Sequence, residues 1–211
     1  MEIHYFDELA STQLYLIEAI KNNTLQAPIA VVAKSQPKGI GSRNNSWIAK
    51  KGDLTFSFAI AKEALPKDLP MSSASIYFGF LVKEVLQKYD KNIFLKWPND
   101  IYRIDKKIGG VVTYFTKGTF IVGVGLNLIR RNDEFGFIEL QDAHKLILEQ
   151  YFLLLKKAPL WQEIFNKFRV EFRNSFNFSV HTKKGIIKLH DTTLCEDGSL
   201  LIDNERIYSL R

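Results

Sequence analysis

Apolar residues recur along the chain in two rhythms, and the switches between them mark out the elements. Leu14, Ile17 and Ala19-Ile20 follow Ser11 at roughly helical spacing, and a serine there can cap the first turn, which predicts an N-terminal helix. Pro28 introduces a short apolar strand, Ile29 to Ala33. Gln36 to Trp47 keeps no period and carries Pro37, Gly39 and Gly41, so it is expected to be a loop. Leu54, Phe56, Phe58 and Ile60 alternate as one face of a strand. Ser72 or Ser73 opens the clearest helix, whose stripe is Phe78, Leu81-Val82, Val85-Leu86 and Tyr89. Three strands are predicted next, Ile93–Trp97, Ile108–Phe115 and Thr119–Leu128, as an antiparallel meander turning at Asp105-Lys106 and Lys117-Gly118. Two helices follow, about Asp142–Lys156 and Leu160–Ser175, separated by Pro159. In the second, Trp161, Ile164-Phe165, Phe168 and Phe172 share a side.

From Phe176 the texture changes to short alternating segments: Phe178–Val180, Gly185–Leu189, Leu200–Ile202 and Ile207–Leu210. A unit of about 35 residues cannot hold a core of its own and is expected to rest on the main body. The division is therefore 1–175 and 176–211, with no repeat, low-complexity tract or long linker between.

Composition changes this picture little: 211 residues, 46% hydrophobic and 25% charged, describe an ordinary globular chain. The net charge of +6 fits either a solvated basic surface or an anionic partner. Cys195 is the single cysteine, which excludes an intrachain disulfide and a cysteine metal cluster and suits a reducing cytoplasm. Glu2, Asp7 and Glu8 precede any apolar run, unlike a signal peptide. The best apolar run, Tyr151 to Leu155, is far shorter than a membrane span.

Several chemistries are absent. There is no phosphate-loop motif, and neither Gly39-Ile40-Gly41 nor Gly123-Val124-Gly125 has the strand–helix context of a dinucleotide fingerprint. His4, His144, His181 and His190 are scattered without zinc spacing, and no nucleophile elbow occurs. Three features remain. The loop Lys34–Trp47 offers glycines that bring backbone N–H groups close to a ligand, with Lys38 and Arg43 for negative charge; taken alone, it reads equally as a mobile surface loop. In Phe94–Gly110, Pro98 stops a strand and displays Asn99 and Asp100, while Lys107 returns beside the side-chain-free Gly109-Gly110. Such a grouping suits a phosphate or carboxylate. In Val122–Asn127, Gly123 and Gly125 shape a strand surface that ends at Asn127.

Together these features resemble the biotin protein ligase family. Lys96-Trp97-Pro98-Asn99-Asp100 is similar to its Lys-Trp-Pro-Asn-Asp signature without a mismatch, and Lys107-Ile108-Gly109-Gly110 to the Lys-hydrophobic-small-Gly stretch that follows. Val124-Gly125-Leu126-Asn127 resembles the Gly-hydrophobic-Asn strand, and Ser11-Thr12 the Ser-Thr pair, with Gln13 in place of the usual Asn. The tail Ile207 to Arg211 resembles the end of the family's small β-barrel. One departure stands out. The family loop reads Gly-Arg-Gly-Arg-x-Gly-Arg-x-Trp, whereas Ile40, Ser42 and Asn45 here replace three arginines and Arg43 is displaced by one position.

The resemblance implies an α+β fold: a mixed, largely antiparallel sheet with helices, like a class II aminoacyl-tRNA synthetase, plus a small C-terminal β-barrel. It implies that ATP activates biotin as biotinyl-5'-adenylate, which then passes to a lysine of a biotin carboxyl carrier protein domain of acetyl-CoA carboxylase. Lys107 would be catalytic, and Ser11, Thr12, Gln36, Gly39, Gly41, Lys107 and Gly110 would bind biotin. Arg43, Trp47, Asn99, Lys107 and Asn127 would face ATP or the adenylate. Magnesium would accompany ATP, with Asp100 a weak candidate ligand. Sheet-edge homodimers are compatible with the resemblance. With the Ser-Thr element starting at Ser11, no room is expected for a DNA-binding domain, and neither DNA nor a membrane is an expected partner. Lipoate ligation shares the architecture and the adenylate chemistry, and a non-catalytic biotin-binding paralogue would accommodate the lost arginines.

Overall fold

The computed structural model describes residues 1–42, 45–130, 134–140, 142–182 and 185–208. The chain runs β1 (Glu2–Glu8), α1 (Thr12–Lys21), β2 (Ile29–Ser35), β3 (Gly39–Ile40), β4 (Ser46–Trp47), β5 (Leu54–Ala61) and α2 (Ala74–Leu86). It continues through β6 (Ile93–Lys96), β7 (Asp100–Arg103), β8 (Lys106–Thr116), β9 (Thr119–Leu126), α3 (His144–Lys156) and α4 (Trp161–Glu171). Five short strands close it: β10 (Ser179–Thr182), β11 (Gly185–Lys188), β12 (Thr193–Leu194), β13 (Leu200–Ile202) and β14 (Glu205–Ile207).

Seven strands form one sheet in the order β1-β2-β5-β9-β8-β7-β6. Only the β1–β2 pair is parallel; the others are antiparallel. The expected mixed, largely antiparallel sheet with helices is therefore present. Alternation along the strands divides their side chains between two helical layers. Phe56, Phe58, Val122 and Val124 point to the face covered by α2, α3 and α4. Ala59 and Ile121 point the other way, against Leu16 and Ile20 of α1. Every residue of α2 except Glu84 is buried, so this helix is apolar nearly all round and forms the middle of the core. Even Lys83 is inside, its Nζ 3.1 Å from a Glu84 carboxylate oxygen and 3.0 Å from one of Glu171.

Ser11 caps α1 as expected, its Oγ accepting from the Leu14 N–H at 3.4 Å. The cap turns Thr12, Gln13, Leu16, Ala19 and Ile20 inward, and Leu14, expected on the apolar face, is exposed. Two strands went unread. β1 is an edge strand whose acidic residues suit an exposed rim but hide its period. β7 occupies part of what was read as a turn, so Asp100 opens a strand rather than standing in a loop. The loop before Trp47 contains the small hairpin β3–β4.

The C-terminal strands form a hairpin, β10–β11, and a three-stranded sheet, β12-β13-β14. Val180, Leu189, Leu200 and Ile202 join the main core. The turn Glu196–Ser199 lodges among the elements of the body. The Trp97 indole N–H donates to the Gly198 carbonyl at 2.9 Å, that of Trp161 donates to the Glu196 carbonyl at 3.0 Å, and the Ser73 hydroxyl donates to the Asp197 carbonyl. Gly198 has φ +76°, and a Cβ there would lie 2.7 Å from Ser73 Oγ, so both backbone and space call for glycine.

Candidate active site

Strand register builds the floor of a cleft on the α1 face of the sheet. Thr55 of β5 sits opposite Gly125 of β9, Gly125 opposite Gly110 of β8, and Gly110 opposite Asp100 of β7. One step along, Ser57, Gly123 and Val112 form a second row. Three glycines thus strip side chains from this face just beyond the N-terminus of α1, leaving a trough of about 440 Å³. A Cβ at Gly110 would meet its nearest neighbours at an ordinary 3.5 Å, so the space above it is open. At Gly125 it would run into the Trp47 ring, 2.6 Å from Cζ2, and the missing side chain is what seats that indole on the strand.

Polar groups line the trough near α1. Thr12 Oγ1 lies 2.8 Å from Ser57 Oγ, and the Thr12 N–H donates to Gln36 Oε1 at 2.6 Å. Gln13 donates from Nε2 to the Ile121 carbonyl at 3.0 Å. At the far wall the Asn99 amide donates to the Val111 carbonyl at 2.7 Å, and Val111 N–H returns to the Asn99 carbonyl at 2.9 Å, which locks the turn after Pro98 onto β8. Asn99 Oδ1 and Trp47 Nε1 are buried without a partner among the described residues.

Charge is concentrated around Asp100. Lys107 Nζ lies 2.5 Å from one of its carboxylate oxygens and Lys96 Nζ 3.8 Å from the other. Burial, helped by the Asp100 charge, pushes the neighbouring Tyr102 phenol up to about 12. A second, more open cleft of about 1050 Å³ adjoins the first and includes Lys50, Asn127 and Phe135. Gly41, Ser42, Trp47 and Lys107 line both, so the Lys107 ammonium stands at their junction.

The structure brings together Ser11, Thr12, Gln36, Gly41, Trp47, Asn99, Lys107 and Gly110, as the sequence analysis expected. Three expectations fare differently. Gly39 lies outside both clefts and instead pairs with Trp47 across the small hairpin, where a Cβ would come within 2.5 Å of the Trp47 carbonyl oxygen. Asn127 reaches only the second cleft, and its side-chain N–H is spent on the Gly136 carbonyl at 2.9 Å. Arg43 falls outside the described residues. Asp100 is shared by two lysines, which suits it poorly to a divalent cation, and no cluster of ligating side chains occurs among the described residues. Sequence reasoning missed Ser57 and Gln13. Ser57 was findable: if Phe56 and Phe58 face the core, Ser57 must face the opposite side.

Residues 5–128 match the model of the biotin/lipoate A/B protein ligase family. The chain belongs to this family. Family members differ in length. The bifunctional ligase/repressor BirA of Escherichia coli K12 is 32% identical over 145 residues, which cover 63% of this chain and 44% of BirA. The chain thus spans under half of that relative's length. Biotin–protein ligase 2 of Arabidopsis thaliana is 29% identical over 201 residues, covering 90% of this chain and 58% of the relative. Among solved structures, the biotin acetyl coenzyme A carboxylase synthetase of Helicobacter pylori, with biotinylated ATP bound, superposes with a TM-score of 0.92 at 42% identity over 98% of this chain and 99% of that one. The Aquifex aeolicus biotin protein ligase, in complex with biotin and ATP, shares the fold with a TM-score of 0.77 at 23% identity, covering 100% of this chain and 96% of that one. No helix among the described residues of this family member is long and apolar enough to cross a membrane.

Proposed function

We propose that this chain is an ATP-dependent biotin protein ligase. A biotin carboxylate oxygen attacks the α-phosphorus of ATP, the bond to the bridging oxygen breaks, and pyrophosphate leaves. A lysine amine of a biotin carboxyl carrier protein domain then attacks the acyl carbon of the biotinyl-5'-adenylate, AMP leaves, and the amine sheds its proton. Neither step needs an enzyme nucleophile, in keeping with the lack of a nucleophile elbow. What the reaction needs is two anions held together. The observation that carries the reading is Lys107 at the junction of two clefts, one floored by glycines and polar groups and the other open.

In this reading biotin lies in the first cleft, with Ser11, Thr12, Gln36 and Gly41 around its ureido head and Gly110 beneath it. The nucleotide extends into the second cleft past Trp47, Asn99 and Asn127. Lys107 is the catalytic residue: it neutralises the carboxylate and the phosphoryl oxygens as charge grows in the transition state. Asp100 holds that ammonium in place before the anions arrive. Magnesium enters with ATP as its counter-ion rather than through a protein site. Orientation of the two reactants supplies much of the remaining acceleration. Use of ATP and a lone thiol suit a cytoplasmic enzyme.

The test is ATP–pyrophosphate exchange with biotin, with lipoate and with neither. Biotin-dependent exchange is expected, and Lys107→Ala should lower it by roughly a hundredfold or more while biotin still binds. Exchange that follows lipoate, or none with either acid, would overturn the reading. Wild-type exchange in Lys107→Ala would overturn the role given to that lysine.

A further inference from the structure

Resting on the proposed biotin site, we infer that Gln13 is a specificity-determining residue, whose side-chain oxygen accepts a hydrogen bond from a ureido N–H of biotin. Gln13 is 6% exposed in the first turn of α1, next to Thr12. Its Nε2 donates to the Ile121 carbonyl at 3.0 Å, which settles the amide's orientation, because a flipped amide would set its oxygen against another oxygen. Oε1 is thereby fixed on the cleft side, and it has no partner among the described residues.

Two further observations point to a ligand. A buried amide oxygen left bare costs about 1–3 kcal/mol, so its presence calls for a donor that arrives later. The opposing strand is also shaped around it. A Cβ at Gly123 would lie 2.8 Å from Gln13 Oε1 and 3.0 Å from Val112 Cγ2, so a side chain there would cover the oxygen. Gln13, Gly123 and Val112 all line the first cleft, with Thr12, Ser57 and Gln36 close by.

A fixed acceptor at the base of a cleft selects by chemistry. A cyclic urea brings two N–H donors to such a floor, whereas a dithiolane ring brings none and would bury the oxygen unsatisfied. Gln13 thus favours biotin over lipoate for a stated reason, and discrimination against a ligand that lacks the donor is large when the site was built to bind one.

Calorimetric titration of biotin into the wild type, Gln13→Leu and Gln13→Asn tests this, with ATP affinity and melting temperature as controls. Gln13→Leu should raise the biotin Kd by about tenfold to a hundredfold, and Gln13→Asn, whose oxygen is drawn back by one methylene, by several-fold, while ATP affinity holds. Biotin methylated at one or the other ureido nitrogen supplies the second arm. One isomer should bind the wild type far more weakly than biotin, and that penalty should shrink in the variants. A biotin Kd within twofold of wild type in a folded variant, or a methylation penalty equal in wild type and variants, would overturn the assignment of Gln13 alone. A wild-type chain that binds no biotin would overturn the function it rests on.

Discussion

At the scale of single residues, the buried charges set the sharpest expectations. Lys83 is enclosed by α2 and α4, over the Phe80 ring at 3.6 Å and against the carboxylates of Glu84 and Glu171. Removing one member of such a group leaves its partner charged in a poor solvent. Lys83→Ala is expected to cost about 3–5 kcal/mol in urea unfolding, and Lys83→Met less, because it restores volume. Burial already holds the Glu171 carboxyl above the ordinary glutamate value, against the pull of Lys83. A raised folded-state value means that the native state keeps a proton the unfolded chain has released, so stability falls as pH rises through that range. Without Lys83 the range widens. The variant should lose stability between pH 5 and 8 more steeply than the wild type, and equal slopes would count against the pairing. At this scale the sequence was most legible where residue type is scarce. Lys107, Asn99 and the Ser-Thr pair announced themselves, whereas Lys83 looked like any solvated helix lysine, since nothing local signals that Glu171 lies across from it.

At the scale of elements, one alternation serves two purposes in β9. Phe120, Val122, Val124 and Leu126 supply the core, while Gly123 and Gly125 clear the trough. The first pattern was easy to read, because apolar side chains at every second position are unambiguous. The second was not, because a glycine in a strand means close approach without naming the group that approaches; here the groups are Gln13 and Trp47. β7 escaped notice for a related reason: four residues with a charge at each end, directly after a proline turn, carry too little period to register. The turn at Gly198 gives a prediction of its own. Gly198→Ala forces a side chain into a left-handed backbone and against Ser73, and should cost about 1–3 kcal/mol of stability. Trp97→Phe, which strips the donor from the Gly198 carbonyl, should cost a similar amount. Both are read by thermal and chemical unfolding, and a neutral result in both would show that the turn is not held as described.

At the scale of the molecule, the small C-terminal sheets contribute to the core rather than sit apart from it. The change of texture at Phe176 told of a second unit but not of its burial, since short alternating segments look alike whether they cover a neighbour or stand free. Asp197 is a measurable part of the join. Burial works against its charge, but the Ser199 hydroxyl and N–H and the Arg206 guanidinium outweigh this and hold its carboxyl below the ordinary aspartate value. A depressed value stabilises the fold above the unfolded-state pKa and is lost as pH falls through the folded one. Acid unfolding below about pH 4 should therefore begin at this join, and Asp197→Asn should flatten that limb of the stability profile. An unchanged acid limb would refute it.

The Trp97 indole meets its acceptor 101 residues further along the chain. A ribosome adding about 5–20 residues per second takes roughly 5–20 seconds to cover that stretch. Throughout that interval the nascent polypeptide carries Asn99 and Asp100 on a bend whose anchoring group has not been made. Assembly of the catalytic trough is therefore a late event in synthesis, and a growing chain arrested before Gly198 would lack it.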